Sequence, residues 1–95
     1  MKNLAVSNHF QRQLKKFPQA DQEKIIEALK DFRARLGKSR IPSGYGFKKI
    51  NGDKYEIRLD IRMRIVMKAE GDTLVCHALG NHEDIARYLR DYRNK

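Results

Sequence analysis

Hydrophobic and charged residues alternate along residues 55–67. Every second position is apolar, and most of the positions between them carry a charge. A period of two is typical of an extended strand with one buried face. The apolar positions are Ile57, Leu59, Ile61, Met63, Ile65 and Met67, and the opposite face carries Glu56, Arg58, Asp60, Arg62 and Arg64. Three arginines on one strand face predict a surface that binds an anion.

Two amphipathic helices precede this stretch. Asn8 is a candidate N-cap with Gln11 as its capping-box partner, and Pro18 is expected to end the first helix. The second helix is predicted over about residues 20–36. Its predicted buried face comprises Ile25, Ile26, Leu29, Phe32 and Leu36. Joined by a tight turn, the two helices form a hairpin that is suited to cover a sheet.

The other elements are short. Residues 4–6 and 47–50 are candidate strands, and Asn51-Gly52 is a hairpin signal that leads into the alternating stretch. Asp60 and Arg62 interrupt the apolar pattern, so a turn or bulge is expected within residues 59–63. Residues 73–79 are apolar on both faces, which predicts a central strand. Asn81 is expected to cap a last helix.

These elements predict an α+β fold in a single domain over residues 1–95. The expected order is strand, helix, helix, antiparallel meander of about four strands, helix. The sheet would be small and antiparallel, with a mixed edge and about four to five strands. The N-terminal helical hairpin would pack on one face, and the C-terminal helix would be short.

Composition narrows the class of protein. Hydrophobic residues make up 40% and charged residues 35% of the chain, which favours a compact domain over a disordered one. The sequence has neither an apolar run long enough to span a bilayer nor the apolar core of a signal peptide, so a cytoplasmic location is expected. The single cysteine, Cys76, agrees with this, and the scattered histidines predict no structural zinc site.

The charge is strongly positive, at +9. Residues 32–52 contain several lysines and arginines and no acidic residue. Such a cluster favours a phosphate backbone, an acidic protein or an anionic membrane surface as ligand, and a solvated face without a ligand is the alternative. Nucleic acid or an acidic partner is the favoured interpretation.

Four motifs, in this order and spacing, resemble the RelE/ParE superfamily, the toxins of bacterial and archaeal toxin–antitoxin pairs. They are Phe47-Lys48-Lys49-Ile50, Tyr55-Glu56-Ile57-Arg58-Leu59, Arg62-Met63-Arg64-Ile65-Val66, and the segment at residues 78–88 in which Gly80-Asn81-His82 is followed by Tyr88. The resemblance spans nearly the whole chain and implies a RelE-like fold. In the RelE/HigB-like branch it implies cleavage of messenger RNA in the ribosomal A site, which inhibits translation.

The reaction implied by this resemblance is attack of the ribose 2′-hydroxyl on the adjacent phosphate, without metal or cofactor. It requires a base, cations that stabilise the phosphorane, and an acid for the leaving oxygen. The resemblance implies that Arg64 holds the scissile phosphate, with Arg58 beside it. His82 matches a basic position and Tyr88 an aromatic one, and Glu56 is a candidate general base. The residues predicted to bind RNA are Lys48, Lys49, Arg62, Arg40 and Lys38.

Alternatives stay open for these residues. Tyr88 lies on the apolar stripe of its helix and also suits the core. Arg58 and Arg62 can form surface ion pairs. His82 sits in the first turn of a helix, where the dipole disfavours an imidazolium and thereby suits a base.

The function also stays open, because the most basic ribosome-dependent members place lysine where Glu56 stands. A ParE-like inhibitor of DNA gyrase and a non-catalytic basic module that binds RNA or a partner are the alternatives to a ribonuclease. The resemblance implies a cognate antitoxin whose acidic or amphipathic segment covers the basic groove. Messenger RNA on the ribosome is the other expected partner, with no membrane and no small-molecule cofactor.

Overall fold

The computed structural model describes residues 3–36, 46–60 and 62–92. Within those ranges the chain forms five strands and three helices: β1 (Asn3–Val6), α1 (Asn8–Lys15), α2 (Gln19–Leu36), β2 (Lys48–Asn51), β3 (Lys54–Arg58), β4 (Arg64–Glu70), β5 (Thr73–Gly80) and α3 (His82–Tyr92). The α+β class predicted from the sequence is confirmed. None of these described helices is long and apolar enough to cross a membrane.

The strands form one sheet in the order β1-β5-β4-β3-β2. β1 pairs with β5 in parallel, whereas the other three pairs are antiparallel, so the sheet has the predicted mixed edge. β5 lies between β1 and β4 and is covered on both faces. This position explains why its sequence is apolar on both sides.

The alternating stretch is two strands, β3 and β4, joined by a tight turn. The turn predicted within residues 59–63 is therefore confirmed. One carboxylate oxygen of Asp60, Oδ1, accepts hydrogen bonds from the backbone N–H groups of Arg62 (2.7 Å) and Met63 (2.8 Å). Asp60 and Arg62 consequently lie in the turn, and their predicted place on the charged sheet face is wrong.

Two hairpins of the sheet are closed by two-residue loops of the same sequence, Gly-Asp. The loops are Gly52-Asp53 and Gly71-Asp72, and the glycines have φ angles of 41° and 62°. Two-residue loops between twisted strands require positive φ at this position, which glycine adopts without strain. The hairpin predicted from Asn51-Gly52 is present, but Asn51 itself belongs to β2.

The core has two layers, one on each face of the sheet. On one face the helices α1 and α2 contribute Phe10, Ile25, Leu29 and Phe32, which pack against Ile57, Ile65, Met67, Leu74, Cys76 and Leu79. On the other face α3 contributes Ile85, which packs against Val66 and Ala78. The second layer is much the smaller of the two. Beside it, α3 leaves part of the sheet face open.

The helix ends differ from the sequence expectation at α1. Ser7, rather than Asn8, is the N-cap, because its hydroxyl accepts a hydrogen bond from the N–H of Phe10 at 3.1 Å. Asn81 caps α3 as predicted: its Oδ1 accepts from the N–H of Asp84 at 2.8 Å. The predicted buried face of α2 is correct except at Ile26, which is 39% exposed.

A β-bulge at His77 changes the side-chain alternation of β5. Val66 pairs with Ala78 and Met67 pairs with Cys76, so His77 is the extra residue. Leu74 and Cys76 face α1 and α2, but after the bulge the next residue on that face is Leu79. Ala78 and Gly80 therefore turn towards α3. The bulge decides which face of β5 meets the last helix.

Candidate functional site

A groove of about 320 Å³ lies between α3 and the exposed face of β2, β3 and β4. We call it the cationic groove, because its lining contains three lysine or arginine residues against one acidic residue. It is lined by Lys48, Lys49, Ile50, Glu56, Arg64, His82, Ile85, Ala86 and Leu89. Five of the residues predicted for the site from the sequence thus meet here: Glu56, Arg64, His82, Lys48 and Lys49.

Glu56 lies at the floor of this groove. Its side chain is only 8% exposed, yet each carboxylate oxygen faces a cation. Oε2 is 3.3 Å from Nζ of Lys48, and Oε1 is 3.5 Å from Nη1 of Arg64. A buried carboxylate is costly without such partners. The two cations therefore stabilise Glu56, and Glu56 in turn holds their side chains over the sheet.

Arg64 is the most enclosed cation of the groove, with 18% of its side chain exposed. One edge of its guanidinium faces Glu56, but its Nε is buried and has no hydrogen-bond partner among the described residues. A buried N–H without an acceptor is destabilising, and an oxygen of a bound anion would satisfy it only after the side chain shifts towards the groove. Arg64 thus retains donor capacity after its ion pair is counted.

The sheet register explains why distant parts of the sequence meet at the groove. Arg64 pairs with Arg58 on one side and with Gly80 on the other. Gly80 is followed by Asn81, the cap of α3, so His82 begins the helix next to Arg64. The N-terminus of an α-helix carries partial positive charge, which adds to that of the groove.

Three residues at this junction have structural roles that the sequence analysis did not predict. Asp84 accepts a hydrogen bond from the N–H of Asn81 at 3.0 Å, which completes a capping box with Asn81. A Cβ at Gly80 would lie 2.5 Å from Cβ of Asp84, so the close packing requires glycine. On the far side, Oε1 of Gln13 accepts from the N–H of Leu79 at 2.8 Å.

The spacing of the sequence contained a signal for two of these. An Asn-x-x-Asp pattern marks a capping box, and Gln13 is a polar residue beside the apolar stripe of Phe10 and Leu14. Beyond Val6, β1 no longer pairs with β5, and Gln13 supplies the acceptor that a strand would have offered. Gln13 thereby fixes the end of β5 from which His82 follows.

Other predicted site residues lie outside the cationic groove. Arg58 is opposite Arg64 in the sheet, but its exposed side chain runs past Gly46, where a Cβ would be 3.7 Å from its Nη2. Arg62 is exposed in the turn between β3 and β4. Lys38 and Arg40 lie outside the described residues.

Tyr88 is on a different flank of α3. Its ring stacks on that of His9, with centroids 6.3 Å apart and planes inclined at 21°. Together they border a second groove, of about 390 Å³, between α1 and α3. The structure therefore separates Tyr88 from the groove that holds His82. No group of three or more His, Cys, Asp and Glu residues able to hold a metal occurs in the described part of the chain.

A scan against protein-family models finds no match to this chain, and a search of curated proteins finds none either. The fold does match solved structures. A YafQ mutant from E. coli has a TM-score of 0.69 and 11% identity, over 90% of this chain and 98% of its own. A chain of the RelB-RelE antitoxin-toxin complex from Methanococcus jannaschii has a TM-score of 0.64 and 22% identity, over 88% of this chain and 96% of its own.

A chain of the E. coli DinJ-YafQ toxin-antitoxin complex also matches, with a TM-score of 0.63 and 15% identity, over 87% of this chain and 96% of its own. The RelB-RelE and DinJ-YafQ structures are complexes of a toxin with an antitoxin. At such low identities the similarity shows the fold, so this chain has the RelE-like fold that its motifs predicted.

Proposed function

We propose that this protein is the toxin of a type II toxin–antitoxin system and cleaves messenger RNA on the ribosome. The observation that carries the proposal is the convergence of Arg64, Glu56, Lys48 and His82 in one positively charged groove. The RelE-like fold supports it, because the matched structures are toxins of this class. The proposed site of action is the cytoplasm, where ribosomes are found.

In the proposed reaction the scissile phosphate enters the cationic groove and accepts a hydrogen bond from the exposed part of the Arg64 guanidinium. The P–O2′ bond forms as the 2′-hydroxyl attacks, and the P–O5′ bond breaks. The products are a 2′,3′-cyclic phosphate and a 5′-hydroxyl. Charge that accumulates on the phosphorane oxygens is stabilised by Arg64 and the N-terminus of α3.

Two proton transfers complete the reaction. His82, in the first turn of α3, accepts the 2′ proton as the general base. The leaving 5′ oxygen takes a proton from the ammonium group of Lys48, which lies on the groove face of β2 beside Glu56. Glu56 acts mainly by positioning, since both of its oxygens already face cations.

The proposed regulator is a cognate antitoxin with an acidic or amphipathic segment. Two of the matched structures are complexes of a toxin with an antitoxin, RelB or DinJ. The excess of cations in the groove suits a carboxylate-rich segment, which would compete with the phosphates of RNA. We expect such a segment to block the reaction.

The test is cleavage of messenger RNA in a translation system assembled from purified ribosomes. The wild-type protein should cut the message only when it is being translated, leaving 5′-hydroxyl ends that primer extension maps. Arg64→Ala and His82→Gln should each lower cleavage by about a hundredfold or more. Arg35→Ala is a matched control, because Arg35 is exposed on α2 and, among the described residues, forms an ion pair with Asp31 alone.

A parallel supercoiling assay with DNA gyrase tests the alternative target. Intact message together with inhibited supercoiling would overturn the proposal in favour of a gyrase inhibitor. Ribosome binding that weakens with salt and breaks no RNA would instead indicate a non-catalytic module. The ion pair between Glu56 and Arg64 is the observation that favours a non-catalytic module, because the charge of the arginine is already partly neutralised.

A further inference from the structure

The second groove, between α1 and α3, contains aromatic and charged side chains that the proposed reaction does not use. Its volume is about 390 Å³. The aromatic and charged residues that matter here are His9, Lys16, Asp84, Arg87, Tyr88 and Asp91. None of these six residues lines the cationic groove, which lies on the other flank of α3. The second groove is therefore a separate surface with its own chemistry.

The helices α1 and α3 run in opposite directions along the second groove. His9, in the first turn of α1, stacks on Tyr88 in the second half of α3, with ring centroids 6.3 Å apart. Farther along α1, Oε1 of Gln13 accepts from the N–H of Leu79, the residue before Gly80, at 2.8 Å. The groove therefore has an aromatic end at His9 and an opposite end beside the first turn of α3.

The charged side chains of the second groove differ between its two ends. Asp91, in the last turn of α3, places its carboxylate at the aromatic end. Lys16, at the end of α1, places its ammonium group at the opposite end. Asp84 also lies there, but its carboxylate accepts from the N–H of Asn81 at 3.0 Å and faces Nη1 of Arg87 at 3.7 Å. The groove thus offers an acceptor beside the aromatic rings and an excess cation at the other end.

A nucleotide with a guanine base matches this arrangement. The exposed ring of His9 offers a face on which a planar base can stack. The Watson–Crick edge of guanine carries two adjacent donors, N1–H and N2–H, which a carboxylate can accept together. Adenine and cytosine instead place an acceptor nitrogen beside their amino group, which a carboxylate repels. His9 lies seven residues before Lys16, about 10 Å along the helix, which is comparable with the length of a mononucleotide.

We propose that the second groove binds a guanine nucleotide, either free or as part of an RNA strand. The guanine ring stacks on His9, and its N1–H and N2–H groups donate to the carboxylate of Asp91. The phosphate pairs with Lys16 at the other end of the groove. No covalent bond forms or breaks at this site, and it does not depend on the reaction proposed at the cationic groove.

The probe is guanosine 5′-monophosphate (GMP) labelled on the ribose with an N-methylanthraniloyl group, and fluorescence anisotropy measures its binding. Unlabelled GMP should displace the probe at least about fivefold better than AMP, because AMP lacks the pair of donors. Guanosine, which lacks the phosphate, should compete about threefold less well than GMP. An RNA tetranucleotide with one guanine identifies the source: better competition than GMP assigns the site to RNA, and poorer competition assigns it to the free nucleotide.

Protein variants locate the binding. His9→Ala should weaken it at least about fivefold, the effect expected for loss of a stacking ring, and Lys16→Ala about threefold. Asp91→Asn should remove the preference for GMP over AMP. Lys15→Ala is the matched control, because Lys15 is exposed next to Lys16 but does not line the groove. Arg64→Ala should leave GMP binding unchanged and so separates this site from the cationic groove.

Several results would overturn the proposal. Equal displacement of the probe by GMP and AMP would show that the base is not recognised. Full binding by His9→Ala, together with loss of binding by Arg64→Ala, would place the nucleotide in the cationic groove. The substituted residues His9, Lys16 and Asp91 are exposed, so the variants should fold, and circular dichroism checks this. Failure of the wild-type protein to bind the probe would refute the site without affecting the RNA-cleavage assay.

Discussion

Gly80 lies directly opposite Arg64 in the pairing of β4 with β5. This relationship places the first turn of α3 beside the guanidinium, because the helix begins two residues after the glycine. The packing is close: a Cβ at Gly80 would be 2.5 Å from Cβ of Asp84, a residue of the cap of α3. The end of β5 and the first turn of α3 therefore pack together as one structural unit.

Gly80→Ala tests this unit. The added methyl group must push the first turn of α3 outward, so we expect a loss of about 1–3 kcal/mol in the free energy of unfolding. Displacement of His82 should lower RNA cleavage in the same variant. Urea unfolding and the cleavage assay measure the two effects. Unchanged stability and unchanged cleavage in Gly80→Ala would contradict the steric explanation.

Glu56→Gln removes the carboxylate between two cations while keeping the shape of the side chain. Because Arg64 loses its charged partner while it is largely enclosed, we expect the free energy of unfolding to fall by about 1–2 kcal/mol. This is less than the loss for a fully buried ion pair, because part of the pair is exposed to solvent. RNA should bind more tightly and with a steeper salt dependence, because both cations become available to phosphates. Cleavage should fall by less than about tenfold. A fall of about a hundredfold or more would make Glu56 the base.

Asp60 predicts a pH dependence of stability. The backbone N–H of Arg62 donates to its carboxylate and, against an opposing effect of burial, holds the pKa below its usual value of 3.8. Lys24, 3.2 Å away, adds to this lowering. A carboxyl whose pKa is lower in the folded than in the unfolded state stabilises the fold. This contribution to the free energy of unfolding is fully present at pH values above the unfolded-state pKa. That contribution is lost as the pH falls through the folded-state pKa.

Asp60→Asn should therefore be less stable than the wild type near neutral pH. The difference in the free energy of unfolding should shrink as the pH falls below 3.8. Urea unfolding at a series of pH values measures it. A difference that stays constant with pH would mean that the turn depends on the hydrogen bonds of the side chain and not on its charge.

Cys76 should be inert in the folded protein. Burial raises the pKa of its thiol to about 12, so almost no thiolate is present near neutral pH. Labelling by iodoacetamide at pH 8 should be slow and should accelerate sharply in urea. The measurement is mass spectrometry of the modified fraction over time. Fast labelling without denaturant would show that β5 opens in the native state.

Tyr88→Phe tests the role that the resemblance implies for this tyrosine. Its ring stacks on His9 in the second groove, so we expect loss of the hydroxyl to change cleavage by less than about threefold. The free energy of unfolding should remain within about 0.5 kcal/mol of the wild type. A hundredfold loss of cleavage would instead require α3 to turn Tyr88 towards the RNA.

Local patterns were sufficient for most of the fold. The helices, the hairpin turns and the break at Asp60 follow from apolar spacing and from residues with known turn and cap preferences. The membership of Glu56, Arg64 and His82 in one site was predicted from motif order rather than from any single residue. Ile26 was wrongly predicted to be buried. Helical spacing identifies the apolar stripe of a helix but not how much of that stripe other elements cover.

Other features depended on pairing between segments. The alternation predicted that Arg62 and Arg64 lie on the same face of one strand. Arg62 lies instead in the turn that precedes β4, and Arg64 is the first residue of β4. A shift of register in β2 places Lys48 opposite Glu56, where unbroken pairing from the Gly52-Asp53 loop would have placed Lys49. The bulge at His77 likewise turns Gly80 towards α3.

The sequence by itself determined the elements, their order and the excess of positive charge, because each depends on local periodicity or composition. The tertiary structure decided which charged residues meet. Side-chain direction along a strand reverses with every shift of one residue, and such shifts are set by packing against α3 and against neighbouring strands. For that reason Arg64 joins Glu56 and His82, whereas Tyr88 faces His9 instead.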